Sequence, residues 1–201
     1  MKRSAGHRVP TSSLVPLTAG IVFCETARRA RTGSVGDLEA RVFRRCNGAP
    51  NSAHLPVWAV MQSGSLATVF VAGGVLARSG RVRAAAAAVV AGTAAWGAVK
   101  LVKPIVGRGR PSHVLDDVDV RGHAQTGLGY PSGHVAVAAT LGAIVAPVTT
   151  PVGWATSIAV GGVVGGTRMY VGAHLPLDVV GGIAIGVLFG RAANEVMDRW
   201  P

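Results

Sequence analysis

Apolar residues along this chain gather into long runs broken by short polar or basic stretches, and no run shows the strict alternation expected of a half-buried strand. Five runs read as membrane helices: Leu55 to Ala77, Ala84 to Val102, His134 to Thr150, Val152 to Gly166 and Leu175 to Ala193. A helix rises about 1.5 Å per residue and the hydrocarbon core is roughly 30 Å thick, so the first two span it unaided. The others draw on flanking residues, the fourth most of all. A sixth, short or tilted helix is a candidate from Leu14 to Thr26, and Val35 to Arg45 reads as an amphipathic stretch along the interface. The expected fold is all-α, a polytopic membrane helical bundle of five helices with a candidate sixth near the N-terminus.

Small residues mark the helix contacts. Gly182, Gly186 and Gly190 recur every four residues, and Gly161, Gly162, Gly165 and Gly166 form a second face. Both patterns are packing seams of the kind that let helices approach closely in lipid. They are not phosphate cradles, which follow a strand and open a helix. The composition agrees: 49% of residues are hydrophobic, only 5% are aromatic, and 28 are glycine. The chain divides into a basic N-terminal region, residues 1–50, and a membrane domain, residues 51–201.

Charge changes the picture through its position. The 20 Lys and Arg outweigh 9 Asp and Glu, giving a net charge of +11, but the basic residues flank apolar runs or sit in loops between them. That arrangement suits anionic membrane lipids better than a nucleic-acid groove. Cys24 and Cys46 lack neighbours at metal-ligand spacing and imply neither a zinc site nor a disulfide framework. The apolar run at the N-terminus contains Pro16 and lacks a small-residue cleavage site, so a removable signal peptide is the weaker reading.

The parity of crossings gathers three clusters on one membrane face: Lys103, Arg108, Arg110 and Pro111; Tyr130 to His134; and Thr167, Arg168, His174 and Asp178. Lys103, Arg110 and Arg168 supply cationic donors for a phosphate and for the added charge of its transition state. Ser132 and Gly133 open a helix, where a hydroxyl and free N–H groups favour an anion. His174 precedes Pro176, and Asp178 lies four residues on, on the same face of a helix start. Such an Asp holds the imidazole in one tautomer and leaves its other nitrogen to attack phosphorus. His134, from a separate cluster, would protonate the leaving oxygen and then activate water.

The spacing Lys103, six residues, Arg110, Pro111; then Pro131 to His134; then Arg168, five residues, His174, three residues, Asp178 resembles the three signature motifs of the type 2 phosphatidic acid phosphatase superfamily. The resemblance covers the chain from about Leu55 to Ala193. It implies a helical core with neither metal nor cofactor, His174 as nucleophile oriented by Asp178, and His134 as acid and then base. Lys103, Arg110, Ser132, Gly133 and Arg168 would hold the phosphate. The family usually carries Ser before the third-motif Arg, where this chain has Thr167. The implied substrates are lipid phosphates and polyprenyl pyrophosphates, and the small size turns the expectation toward a bacterial polyprenyl or phospholipid substrate. The site would open sideways to lipid on the extracytoplasmic face.

The blander readings divide the remaining polar residues. Asp116, Asp117 and Asp119 lack the Gly and spaced Glu of a calcium loop and read as a solvated patch. His113 and His123 read as exposed, and Trp58, Trp96, Trp154 and Trp200 as interfacial anchors. Two other classes are a non-catalytic membrane protein that binds anionic lipid in the same pocket, and a soluble enzyme related to vanadium haloperoxidases. The first leaves His134, His174 and Asp178 without a purpose, and the apolar helices oppose the second. A basic loop from Arg78 to Arg83 on the far side agrees with an outward-facing site, while Arg28 to Arg45 on the near side opposes it.

Overall fold

A computed structural model describes residues 11–200. The first ten residues of the basic N-terminal region lie outside these residues. The helices are α1 (Thr11–Ala30), α2 (Asp37–Asn47), α3 (His54–Gln62), α4 (Leu66–Arg78), α5 (Val82–Val106), α6 (Pro111–Val114), α7 (Gly133–Val145), α8 (Pro151–Tyr170) and α9 (Pro176–Arg199). A 3₁₀ turn, Asn51–Ala53, leads into α3. The described residues are helices and their connections, an all-helical bundle.

The bundle is built around α7. Its sequence, GHVAVAATLGAIV, is apolar on every side, and nine of its 13 residues are buried. A helix hydrophobic all round belongs in the middle. Helices α5, α8 and α9 surround it, α1 lies along α9, and α4 pairs with α5. The glycine seam explains how α9 approaches so closely. A Cβ at Gly182 would lie 2.7 Å from the Ser132 carbonyl, and one at Gly186 would lie 2.5 Å from Ala139 Cβ.

Three expectations about helix limits change. The run Leu55 to Ala77 is two helices, α3 and α4, bent by 59° at Ser63–Ser65. The break has a packing cause: a Cβ at Gly64 would lie 2.9 Å from the His134 carbonyl carbon, so the chain must turn there against the start of α7. The fourth segment is longer than its apolar run, since α8 continues to Tyr170 and has 20 residues. The shortest of the five is instead α7, which stops at Val145 just before Pro147. Asn194, buried on α9, seals that end by accepting from Val148 N–H at 3.0 Å and donating to the Ala143 carbonyl at 3.2 Å.

By length and composition, Val82–Val114 and Pro176–Arg199 are apolar enough to cross a membrane, and α3 with α4 qualifies if counted as one bent span. The run from Leu14 forms a 20-residue helix, long enough in rise to cross a bilayer. Helix α2 is amphipathic as its sequence suggests, and its buried face, Ala40, Phe43 and Asn47, rests on the bundle. Phe43 shares a buried cluster with Val164, Leu175 and Val179, and α2 lies against α8 and α9.

Candidate active site

Each wall of the site begins at a helix end. Helix α5 carries Lys103 in its last turn, then ends at Gly107, whose φ of 73° is a left-handed conformation that glycine adopts without steric cost. Lys103 is therefore helical. Its Nζ turns back to donate to the carbonyls of Leu128 and Gly129 at 2.7 and 2.8 Å. Arg110, N-terminal to α6, donates from Nη1 to the Ala173 carbonyl at 2.7 Å and from Nε to Thr126 and Gly127, each at 3.2 Å. These bonds tie the connection between α6 and α7 to the third cluster.

Ser132 is the N-cap residue of α7, with Gly133 and His134 in its first turn. Its backbone N–H donates to the Asp178 carbonyl at 2.9 Å, which fixes the start of α7 against the start of α9. Arg168 projects from the last turn of α8, where Nη1 lies 3.0 Å from Met61 Sδ. Two buried polar atoms here, Ser132 Oγ and Arg168 Nε, find no partner among the described residues. Buried donors are rarely left unmade, and both are the kind of group an anion would satisfy.

The third wall is the turn from α8 to α9. His174 is buried, and its Nδ1 lies 3.2 Å from Asp178 Oδ2. The same oxygen accepts from Leu175 N–H at 3.0 Å, so Asp178 also caps the helix that carries it. Burial pushes the His174 imidazole down to about 4, with Asp178 pulling the other way, so the ring is neutral at pH 7. His134 lies within electrostatic range of His174, Arg168 and Arg110, and Lys103 within range of Arg110, Asp178 and Arg168. Lys103, Arg110, His134, Arg168, His174 and Asp178 thus lie together at one end of the bundle, with Ser132 and Gly133 beside them at the start of α7.

Residues 82–200 match the PAP2 superfamily. The chain belongs to that superfamily. In general terms it is a membrane phosphatase. Over 93% of this chain and 98% of the other, the fold resembles the crystal structure of a transmembrane PAP2-type phosphatidylglycerolphosphate phosphatase from Bacillus subtilis, with a TM-score of 0.72 at 17% identity. It also resembles Aquifex aeolicus LpxE, with a TM-score of 0.61 at 22% identity over 80% of this chain and 96% of that one. No curated protein matches the chain.

Other sequence readings resolve locally. The Thr167 hydroxyl donates to the Val164 carbonyl of its own helix at 2.6 Å and is buried. Asp117 pairs with Arg44 at 2.8 Å and Asp119 with Arg121 at 3.3 Å, while His113 and His123 are exposed. Trp58 and Trp200 are exposed, and Lys100 lies over the Trp96 ring at 4.9 Å.

Reasoning from motifs missed three residues beside the site. Gly129 permits the loop to cross, since a Cβ there would lie 2.8 Å from the Gly109 carbonyl and 3.1 Å from Asp178 Oδ2. Arg108 lies in the first cluster but has no role in the motifs, and Glu39 of α2 lies outside them. Arg108 Nη1 reaches Asp178 Oδ1 at 3.2 Å and Glu39 Oε1 at 2.9 Å, and its Nη2 reaches Glu39 Oε2 at 2.7 Å. No motif in the sequence points to Glu39, one of two acidic residues in the first turn of α2.

Proposed function

We propose that the protein hydrolyses a lipid phosphate or polyprenyl pyrophosphate through a covalent phosphohistidine on His174. The observation that carries this reading is the buried His174–Asp178 pair beside an anion pocket whose Ser132 Oγ and Arg168 Nε lack partners. Lys103, Arg110, Arg168, Ser132 and the Gly133 N–H would hold the non-bridging phosphate oxygens. Because Asp178 engages Nδ1, the free nitrogen is Nε2, which attacks phosphorus as the bond from phosphorus to the leaving oxygen breaks. His134 gives that oxygen its proton, releasing the lipid alcohol, or the lipid monophosphate from a pyrophosphate. His134 then takes a proton from water as the water oxygen attacks phosphorus, the N–P bond breaks, and inorganic phosphate leaves.

A lipid substrate is supported by the apolar helices beneath the site and by the phosphatidylglycerolphosphate phosphatase named among its structural neighbours. The pocket end of α5 lies opposite the basic turn Arg78–Arg83, which supports an extracytoplasmic active site under the positive-inside rule. A lipid-binding protein without catalysis would need the cations but not a histidine held by a carboxylate. Detergent-purified protein should release phosphate, with EDTA present, from at least one of phosphatidate, phosphatidylglycerol phosphate and a polyprenyl pyrophosphate, and His174→Ala should abolish release. Folded protein inactive on every lipid, or unaffected by that substitution, would exclude the mechanism.

A further inference from the structure

We infer that Glu39, on the N-terminal amphipathic helix, is a positioning residue for the reaction, acting through Arg108 to set the charge and orientation of Asp178. The inference rests on the phosphohistidine reading above. It extends the working site beyond the motif-bearing residues into α2.

The geometry is a buried chain of charge leading to the nucleophile. The Arg108 side chain is 0% exposed, Asp178 is 0% exposed and Glu39 is 9% exposed. Arg108 meets Glu39 through two parallel N–H···O bonds at 2.7 and 2.9 Å, and Asp178 through one at 3.2 Å. Glu39 Oε1 also accepts from Leu177 N–H at 2.9 Å, inside the first turn of α9. One carboxylate thus secures both the guanidinium and the start of the helix on which Asp178 sits. Asp178 in turn spends Oδ2 on the imidazole and the Leu175 N–H, leaving Oδ1 to Arg108 alone.

Charge balance gives Glu39 a task beyond packing. As Nε2 of His174 bonds to phosphorus, the imidazole becomes cationic and needs one net negative charge behind it. Arg108 and Asp178 by themselves would cancel, and the growing positive charge would be uncompensated in a site shielded from water. Adding Glu39 brings the group of three to a net charge of −1, and Asp178 can again support the cation. Arg108 meanwhile holds Asp178 in place, because a guanidinium fork fixes direction as well as charge.

Glu39→Gln tests this with little change of shape, since the amide oxygen can still accept from Leu177 N–H. Measured on monodisperse protein in detergent, kcat should fall by about 10–100-fold, by analogy with the loss of outer partners that orient metal-bound histidines. KM should stay within about twofold. Rapid-quench phosphorylation of the enzyme should slow in parallel. Combining Glu39→Gln with Arg108→Met restores a net charge of −1 and should recover kcat above that of either single variant. Glu39→Gln with wild-type kcat, or a loss of activity that only follows the folded fraction while the double variant is worse than both singles, would overturn the positioning role. His174→Ala run beside it separates the two levels: if it remains active, the phosphohistidine reading itself has failed. If it is dead while Glu39→Gln is fully active, only the role of Glu39 has.

Discussion

Asp178→Asn isolates the interaction on which the proposed chemistry most depends. The substitution keeps the shape of the side chain but removes a charge that lies 3.2 Å from His174 Nδ1 and is completely buried. At an effective dielectric of about 20, a full charge on the imidazole at that distance is worth about 5 kcal/mol. With roughly half the charge developed in the transition state, the loss is about 2–3 kcal/mol, or about 10²-fold in rate. A second effect adds to it. If the amide oxygen keeps the Leu175 N–H and the imidazole, its NH₂ faces the Arg108 guanidinium, donor against donor. If it turns over, the NH₂ faces Nδ1 and drives the ring proton onto Nε2, the nitrogen that must attack. Loss of the correct tautomer in a comparable carboxylate–imidazole pair costs about 10⁴ in kcat, so the expected fall is between about 10² and 10⁴. The assay is steady-state phosphate release from the preferred lipid in detergent, with rapid-quench trapping to show that phosphoenzyme formation has slowed. A folded, monodisperse Asn variant within about threefold of wild-type kcat would refute the role given to Asp178.

Other consequences are open to equally direct checks. Ser132→Ala removes a hydroxyl without a hydrogen-bond partner, so the thermal midpoint should hold while kcat/KM falls by about tenfold, the worth of one hydrogen bond of about 1–1.5 kcal/mol. Gly186→Leu should force α9 away from Ala139 and destabilise the bundle by about 1–3 kcal/mol or more, lowering the midpoint in detergent. Gly162→Ala meets nothing within 4 Å and should leave the midpoint unchanged or raise it through better helix propensity, by about 1 kcal/mol at most. For pH, burial holds His174 at about 4, so the ring stays neutral and nucleophilic as pH falls from 7 to 5 and is protonated only on approaching 4. Single-turnover phosphorylation should therefore keep its His174-dependent rate down to about pH 5 and drop about tenfold per unit below 4. An acid limb centred near 6.5 that His174 controls would contradict that burial.

The residues facing the site could be named from the sequence because their types and spacings are local. His174, Pro176 and Asp178 define a helix start with its cap within five positions, and Ser132 to His134 define another. Crossing parity then brings separated helix ends to one face without any knowledge of packing. Helix limits were harder to read, because packing sets them. The bend at Gly64 exists because the His134 carbonyl lies against it, and α7 stops where Asn194, 46 residues beyond Val148, accepts the Val148 N–H. Glu39 was equally hidden, since it lies 69 positions from Arg108 and 138 from the Leu177 N–H it accepts. By itself, the sequence determined an all-helical membrane chain with cationic and histidine side chains at helix ends, the pieces of the proposed chemistry, because hydrophobic runs and short motifs act over a few residues. Only the tertiary structure decided which charges stand behind that chemistry. Burying Asp178 and Arg108 together makes each depend on a third charge, and only the folding of α2 over the bundle brings that charge within bonding distance.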